Sequence, residues 1–215
     1  MSEYRVDATY DYVCGSDECG YGSWAGPLTV CAVVVSRLWV PPTGLTDSKA
    51  LSPAARERLY APLINGTIHC VVNVDSEEID RLGVGVVLLM AHQRAIRGAL
   101  QAHKDLGCVG KTLVIVDGNL DIPGAVSLPK ADLLIPAVSA ASVIGKVQRD
   151  RHMADMDVLY PGYGFKTGCG YGTKQHQEGL KRLGICPIHR KSYSPIAAML
   201  PSNELRETWM LVEDD

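Results

Sequence analysis

The sequence predicts an α/β fold in which a mixed β-sheet carries helices on its faces. Short runs of β-branched and apolar residues alternate along the chain with longer segments whose apolar residues recur at helical spacing. Turns rich in Gly and Pro separate these segments. In chain order they form two strands, then helix, strand, helix, strand and helix, an order typical of α/β domains. A length of 215 residues and a hydrophobic content of 47% suit one domain with a sizeable core.

Residue type and turn signals define the individual elements. The predicted strands are 8–15, 27–35, 67–74 and 111–117. The predicted helices are 53–64, 75–103, 138–158 and 174–184. Ser52 is placed to cap the first helix, and Asp75 with Glu78 has capping-box spacing at the start of the second. Gly83 and Gly85 weaken the second helix near its start, because glycine disfavours a helix interior.

Charge is distributed unevenly along the chain. The net charge of -3 and the pI near 6.1 give no global indication of a nucleic-acid partner. Between residues 166 and 191, however, six Lys and Arg residues face a single acid, Glu178. A basic surface for phosphates is therefore expected to be local, although a charged run of this kind is usually only a solvated face.

Cysteine use and apolar runs indicate a cytoplasmic protein. The seven cysteines are an odd number and include no CxxC pair, so neither a zinc ribbon nor a disulfide framework is indicated. The first residues, MSEYRVDATYDYV, carry acids where a signal peptide has bases followed by apolar residues. The longest apolar runs, near 28–35 and 84–90, are too short to span a bilayer. We therefore expect a reducing, cytoplasmic location.

Four carboxylates lie at or beside the ends of apolar segments. They are Asp17 and Glu18 after the first strand, Asp117 at the end of LVIVD, and Asp132 before LLIP. Strand ends at one edge of a sheet converge, so carboxylates placed there can share metal ions. A set without His or Cys favours Mg²⁺ or Mn²⁺ over Zn²⁺, and two such ions serve phosphoryl displacement. The alternative interpretation is that these residues only form turns.

Eight motifs follow one another over roughly residues 10–200. They are GSDECGYGSWAGPLTV, LTDSKALS, VIVDGN, KAD, SAASVIGKVQRDR, YPGYGF, GYGTKQH and IHRKSYSPI. Together they resemble the type 2 ribonucleases H, the ribonuclease HII family. The resemblance implies an RNase H-like fold, with a mixed β-sheet flanked by helices and a small helical C-terminal extension. It implies one domain over 1–215, with a catalytic core at about 10–160 and a substrate-contacting extension at about 161–215.

The resemblance also implies a reaction. Members of the family are metal-dependent endoribonucleases that hydrolyse the RNA strand of RNA–DNA hybrids, including ribonucleotides embedded in DNA, and leave a 5′-phosphate and a 3′-hydroxyl. Their Asp-Glu-Asp-Asp set binds two divalent ions, Mg²⁺ or Mn²⁺. By motif, the matching residues are Asp17, Glu18, Asp117 and Asp132, the last through Lys130-Ala131-Asp132, where the family has Lys-Gly-Asp.

Two glycine-rich turns are implied to read the substrate. A nuclease specific for RNA must sense the 2′-hydroxyl, and glycine backbone can approach a sugar closely. The family uses Gly-Arg-Gly for this purpose, and the matching residues here are Gly20, Tyr21 and Gly22, so the Arg is absent. Tyr171 matches the tyrosine that stacks on the sugar beside the cut. Without the resemblance, Tyr171 would be interpreted as an aromatic that caps the core.

Further residues are implied to contact phosphates. The TDSKALS loop resembles the family's phosphate-contacting loop, with Thr46, Ser48 and Lys49 as candidates. Lys146 and Arg149 lie on the predicted helix 138–158 and are further candidates, although composition alone indicates a solvated face.

Three other interpretations stay open at this point. The first motif also resembles the related ribonuclease HIII, which cleaves hybrids without a preference for single ribonucleotides. The second interpretation is a non-catalytic protein that binds RNA–DNA hybrids, and the third is a phosphatase or DNA nuclease on a similar sheet. For the leading interpretation we expect a monomer whose partner is a hybrid, or a DNA duplex containing ribonucleotides, and no membrane partner.

Overall fold

One mixed β-sheet organises the chain, of which the computed structural model describes residues 7–201. The strands are β1 (Tyr12–Cys19), β2 (Leu28–Ser36), β3 (Ile68–Val74), β4 (Thr112–Asp117) and β5 (Val126–Leu128). Their order across the sheet is β3-β2-β1-β4-β5. Strand β1 pairs antiparallel with β2 and parallel with β4, and β4 pairs parallel with β5. The predicted mixed sheet is confirmed.

Helices connect the strands and make up the C-terminal part of the described chain. They are α1 (Pro53–Gly66), α2 (Ser76–Leu82), α3 (Val84–Asp105), α4 (Ala131–Leu134), α5 (Pro136–Leu159), α6 (Phe165–Gly168), α7 (Lys174–Leu183) and α8 (Ser194–Ala197). The expected caps are present. Ser52 Oγ accepts a hydrogen bond from the Ala55 N–H at 3.2 Å, and Asp75 Oδ1 accepts one from the Glu78 N–H at 2.8 Å.

Three features differ from the sequence-based expectations. Strand β1 continues to Cys19, so the neighbouring acids Asp17 and Glu18 lie within the strand and not after it. The predicted helix 75–103 is divided at Gly83, whose φ of 80° lies outside the helical region. The segment around Asp132 is the short helix α4, so that carboxylate does not stand at a strand end.

The described residues divide into two compact units. The first consists of residues 7–19, 29–72 and 89–147, and the second of 20–28, 73–88 and 148–201. The core of the first unit lies between the sheet and its helices and is almost wholly aliphatic. Its buried side chains include Val33, Leu63, Ile115, Val138 and Ile144.

The second unit has a core of its own. Met153, Phe165, Leu180 and Ile196 are buried in it, and the rings of Tyr163 and Phe165 stack with centroids 5.1 Å apart.

The expected single domain, with its catalytic core ending near residue 160, stays a prediction. The part of the expected C-terminal extension after residue 201 lies outside the described residues. None of the helices between residues 7 and 201 has the length and apolar character needed to cross a membrane.

Candidate active site

Strand β1 presents its two acids to opposite faces of the sheet, because successive side chains of a strand alternate. Asp17 is buried and hydrogen-bonded to Ser142, on helix α5. Glu18 remains partly exposed, and its Oε2 lies 3.3 Å from His92 Nε2, on helix α3. Each carboxylate is therefore held by a helix on its own side of β1.

A backbone hydrogen bond brings Asp117 and Asp132 together. Asp117 is the last residue of β4, and its Oδ1 accepts a hydrogen bond from the Ala131 N–H at 2.7 Å. Asp132 follows directly in α4 and is buried. Ala131 is helical and fully buried, so this position, which is glycine in the family motif, accepts a side chain here.

The four carboxylates and Lys49 form one charged cluster in the first unit. Burial, together with the charges of Glu18 and Asp117, raises the pKa of Asp17 to about 8. Burial and the charge of Asp117 raise the pKa of Asp132 to about 6. Burial lowers the pKa of Lys49, but the surrounding carboxylates outweigh it and leave that pKa raised.

This cluster suits hard divalent cations by its donor chemistry. Its oxygens come from carboxylates, and the raised pKa values of Asp17 and Asp132 reflect burial and, in addition, the nearby negative charges that a cation would neutralise. Among residues 7–201, no three His, Cys, Asp or Glu side chains already stand in a metal-binding arrangement. The residues present therefore fit such a cation by type and charge, without a preformed coordination shell.

The loop before α1 places its three candidate phosphate contacts differently. Lys49 is exposed and lies within the charged cluster, while Thr46 is half-buried. Ser48 is buried, its hydroxyl lies 2.9 Å from that of Ser142, and its carbonyl accepts a hydrogen bond from Arg56 Nη1 at 2.8 Å. The buried Ser48 side chain therefore contacts Ser142, the partner of Asp17, and its hydroxyl is not placed for the expected phosphate contact. Lys146, on α5, is half-buried.

His92 is a polar neighbour of the cluster that sequence reasoning missed. It is fully buried on α3, and its Nδ1 lies 2.9 Å from Ser16 Oγ. A single His within an amphipathic helix carries no motif, and its contact with Glu18 spans 74 residues of sequence. The contact between His92 and Glu18 is visible only once α3 is packed beside β1 in the structure.

In the second unit, the turn that follows β1 contains two glycines with different surroundings. Gly20 has a φ of 84°, and a Cβ there would meet Arg149 Nε at 2.1 Å. A Cβ at Gly22 would meet nothing within 4 Å, and Gly22 is exposed. Tyr21, between them, is 43% exposed. The turn thus has a packed side at Gly20 and an open side at Gly22.

Arg149 lies beneath this turn and not on the surface, contrary to the expected phosphate contact. It is 1% exposed. Its guanidinium donates to the carbonyl oxygens of Pro27 and Cys169 at 2.9 and 3.0 Å and to Ser23 Oγ at 2.8 Å. These guanidinium N–H groups already have acceptors and are not available to a phosphate. The same hydrogen bonds hold the glycine-rich turns in place.

A second buried arginine, Arg190, holds the same turn and was not predicted. Its Nε and Nη2 donate to the Gly26 carbonyl at 3.0 and 2.9 Å, and its Nη1 donates to the Tyr21 carbonyl at 2.8 Å. Tyr193 Oη also donates to the Tyr21 carbonyl. The motif IHRKSYSPI contains both side chains, but nothing in its spacing shows that they contact residue 21.

Tyr171 is half-exposed, so its ring does not cap the core. Tyr171 is 41% exposed, and the Arg149 guanidinium lies 5.8 Å from the centroid of its ring. The Tyr171 carbonyl is 2.9 Å from His176 Nδ1, and His176 Nε2 is 2.9 Å from His189 Nε2. The Cys186 N–H donates to His189 Nδ1 at 2.8 Å. A chain of hydrogen bonds therefore holds the backbone beneath an accessible aromatic ring.

Comparison with known proteins supports one family. A family model described as Ribonuclease HII matches residues 14–195. Ribonuclease HII of Hyphomonas neptunium is 43% identical over 206 residues, which cover 90% of this chain and 98% of that relative. The alternatives of a ribonuclease HIII-like enzyme and of a non-catalytic hybrid-binding protein are not favoured.

Solved structures share the fold. Ribonuclease H2 from Pyrococcus horikoshii OT3 matches with a TM-score of 0.69 and 24% identity, over 91% of this chain and 99% of that chain. Bst-RNase HIII in complex with Mn²⁺ matches with a TM-score of 0.64 and 18% identity, over 95% of this chain and 71% of that chain. The predicted RNase H-like fold is confirmed. The chain belongs to the ribonuclease HII family and is a type 2 ribonuclease H, an endonuclease that cleaves RNA–DNA hybrids.

Proposed function

We propose that Asp17, Glu18, Asp117 and Asp132 hold two divalent cations, Mg²⁺ or Mn²⁺. We propose that the same four residues are the catalytic residues for hydrolysis of the RNA strand. The observation that supports this most strongly is that burial and the charges of neighbouring carboxylates together raise the pKa of two of these four carboxylates. Two bound cations supply stabilisation of the attacking and leaving oxygens in a phosphoryl displacement. The expected products carry a 5′-phosphate and a 3′-hydroxyl.

The protein's own groups have separable tasks in this proposal. Ser142 and His92 hold Asp17 and Glu18 from the two faces of β1, and the Asp117–Ala131 hydrogen bond holds Asp132 beside Asp117. Lys49 balances part of the negative charge. Thr46, Lys49 and Lys146 remain our proposed phosphate contacts.

The substitution Asp17→Asn tests the metal assignment. It should abolish cleavage in both Mg²⁺ and Mn²⁺, because a buried amide cannot replace the negative charge, while hybrid binding stays near the wild-type level. Hybrid cleavage is measured on gels and binding by fluorescence anisotropy. Asp121→Asn, at an exposed aspartate, is the matched control. Metal-dependent cleavage that persists in Asp17→Asn contradicts the assignment.

For substrate reading, we propose that the open backbone at Gly20–Gly22 contacts the 2′-hydroxyl and that Tyr171 stacks on the neighbouring sugar. Gly22 leaves the backbone accessible, and the Tyr171 ring is half-exposed. Tyr21 cannot provide the charge-assisted contact of an arginine. We therefore propose a weakened preference for single embedded ribonucleotides.

A panel of three duplexes tests this preference. They contain one ribonucleotide in DNA, a continuous RNA strand, and DNA only. We expect efficient cleavage of the hybrid, slower cleavage of the single-ribonucleotide duplex and none of the DNA duplex, in Mg²⁺ and then in Mn²⁺. Equal cleavage of the first two duplexes refutes the weakened preference, and cleavage of DNA refutes the 2′-hydroxyl requirement.

We further propose a single functional domain, a monomeric state and a cytoplasmic location. None of the seven cysteines, all of which lie within residues 7–201, forms a disulfide, and this supports a reducing compartment.

A further inference from the structure

His92 bridges a buried serine and a candidate metal ligand. Its side chain is fully buried, with Nδ1 at 2.9 Å from Ser16 Oγ and Nε2 at 3.3 Å from Glu18 Oε2. Ser16 is also fully buried, and its Oγ lies 3.1 Å from the Cys31 carbonyl oxygen. A buried imidazole with both nitrogens engaged is an organised polar group, since unpaired burial of these atoms would be costly.

The neighbours of the ring assign its hydrogens. The Glu18 carboxylate only accepts hydrogen bonds, so a bare Nε2 facing it would bring two lone pairs together. Ser16 has one hydroxyl hydrogen, which goes either to the Cys31 carbonyl or to His92 Nδ1. In the first case Nδ1 carries a hydrogen and donates it to Ser16 Oγ, and in the second case Nδ1 accepts. In both cases the favourable arrangement has a hydrogen on Nε2 that is donated to Glu18 Oε2.

We propose that His92 is a positioning residue that orients Glu18 for divalent-cation binding, with Ser16 fixing the orientation of the imidazole. This inference rests on the proposed function, because it assumes that Glu18 is a metal ligand. The hydrogen bond occupies one carboxylate oxygen and restrains the side chain. The Glu18 side chain is 26% exposed and therefore accessible to a ligand, whereas the His92 side chain is fully buried.

Such a restraint is expected to matter for metal affinity. Hydrogen bonds that orient carboxylate ligands typically contribute 10–100-fold in metal affinity or activity. Asp17 has its own partner, Ser142, on the other face of the strand, so the loss of His92 should leave that side of the cluster unchanged.

The first experiment measures Mn²⁺ binding to the full chain by electron paramagnetic resonance, without substrate. His92→Leu, which keeps the apolar packing and removes the donor, should weaken Mn²⁺ binding by about 10–100-fold. His92→Gln places an amide N–H near the position of Nε2 and should recover most of that loss. Circular dichroism and thermal melting establish that each variant is folded. Wild-type affinity in folded His92→Leu, or no recovery in His92→Gln, overturns the proposal.

A double-mutant cycle separates this inference from the proposed function. Glu18→Gln should itself weaken Mn²⁺ binding, and adding His92→Leu should then cause little further loss if His92 acts through Glu18. If Glu18→Gln binds Mn²⁺ like the wild type, the metal assignment fails. If Glu18→Gln weakens binding and the effect of His92→Leu is fully additive, only the role of His92 fails.

A measurement on the wild-type protein covers the case in which His92→Leu does not fold. Nitrogen-15 NMR of the imidazole should show a hydrogen on Nε2 of His92, assigned by comparison with His92→Gln. A ring protonated only at Nδ1 overturns the proposal.

Discussion

At the scale of single residues, the turn after β1 separates a structural glycine from an accessible one. Gly20 is required by the fold, because its φ is 84° and Arg149 occupies the place of a side chain. Gly22 has open space where a Cβ would be. Two glycines that look equivalent in sequence therefore have different roles.

The substitutions Gly20→Ala and Gly22→Ala form a matched pair. Gly20→Ala should lower the free energy of unfolding by at least about 2 kcal/mol, because the new methyl group meets Arg149 in a strained backbone conformation. Gly22→Ala should change it by less than about 1 kcal/mol but reduce hybrid cleavage by roughly 10-fold or more, since the methyl group would stand between the backbone and the sugar.

Urea unfolding and cleavage of a continuous hybrid measure the two effects. Full activity in Gly22→Ala would exclude close approach of the substrate at this turn, and unchanged stability in Gly20→Ala would contradict the packing described for Arg149.

At the scale of elements, a single glycine divides the segment 75–103 into α2 and α3. The Gly83 N–H donates to the Ile79 carbonyl and ends α2, and its positive φ redirects the chain before Val84 starts α3. The division sets the start of the helix that carries His92. An unbroken helix over residues 75–103 would therefore turn a different set of α3 side chains towards the sheet.

Gly83 and the nearby Gly85 provide the corresponding test. Gly83→Ala should lower the free energy of unfolding by about 1–3 kcal/mol, because its φ of 80° with ψ of 142° is nearly exclusive to glycine. Gly85→Ala, within α3 and exposed, should be neutral or raise stability by up to about 1 kcal/mol. Urea denaturation measures both, and equal destabilisation by the two substitutions would contradict the break at Gly83.

At the scale of the whole molecule, stability depends on buried ionisable groups that are neutral in the folded state. Burial lowers the pKa of His176, and burial lowers that of His189 to about 4. The two Nε2 atoms share one hydrogen bond, in which one ring donates and the other accepts, so protonation of the accepting nitrogen would set two N–H groups against each other.

The contribution of this histidine pair to the free energy of unfolding should therefore fall in acid. In the unfolded chain an imidazole has a pKa near 6.5, so as the pH falls from about 6.5 towards 4 the unfolded chain binds protons that the folded pair excludes. This contribution is fully present above this window and should decrease by roughly 2–3 kcal/mol across it. The raised pKa values of Asp17 and Asp132 act in the opposite direction, because these carboxyls bind protons at a higher pH in the folded protein than in the unfolded chain. The loss is therefore measured as the difference in urea unfolding free energy between the wild type and His189→Gln from pH 7.5 to pH 4.

Two variants assign this pH dependence. His189→Gln should lower stability at neutral pH and remove the acid loss that the histidine pair contributes. His69→Gln, at a half-buried imidazole outside the pair, is the matched control. An identical pH dependence of stability in His189→Gln and the wild type would show that the pair makes no such contribution.

Local signals in the sequence by themselves determined the order of the main strands and helices, the caps at Ser52 and Asp75, and the four candidate carboxylates. Each of these depends on a side chain and its near neighbours in the chain. The short elements β5 and α4 were not predicted, because three or four residues are too few to show a period.

Only the tertiary structure decided which partner each candidate residue has. His92 contacts Glu18 across 74 residues, Arg149 contacts Ser23 across 126, and Arg190 contacts Gly26 across 164. Whether an arginine reaches a phosphate or a buried carbonyl depends on which side of its helix or turn is enclosed. That is set by the packing of distant segments, and no local pattern contains it.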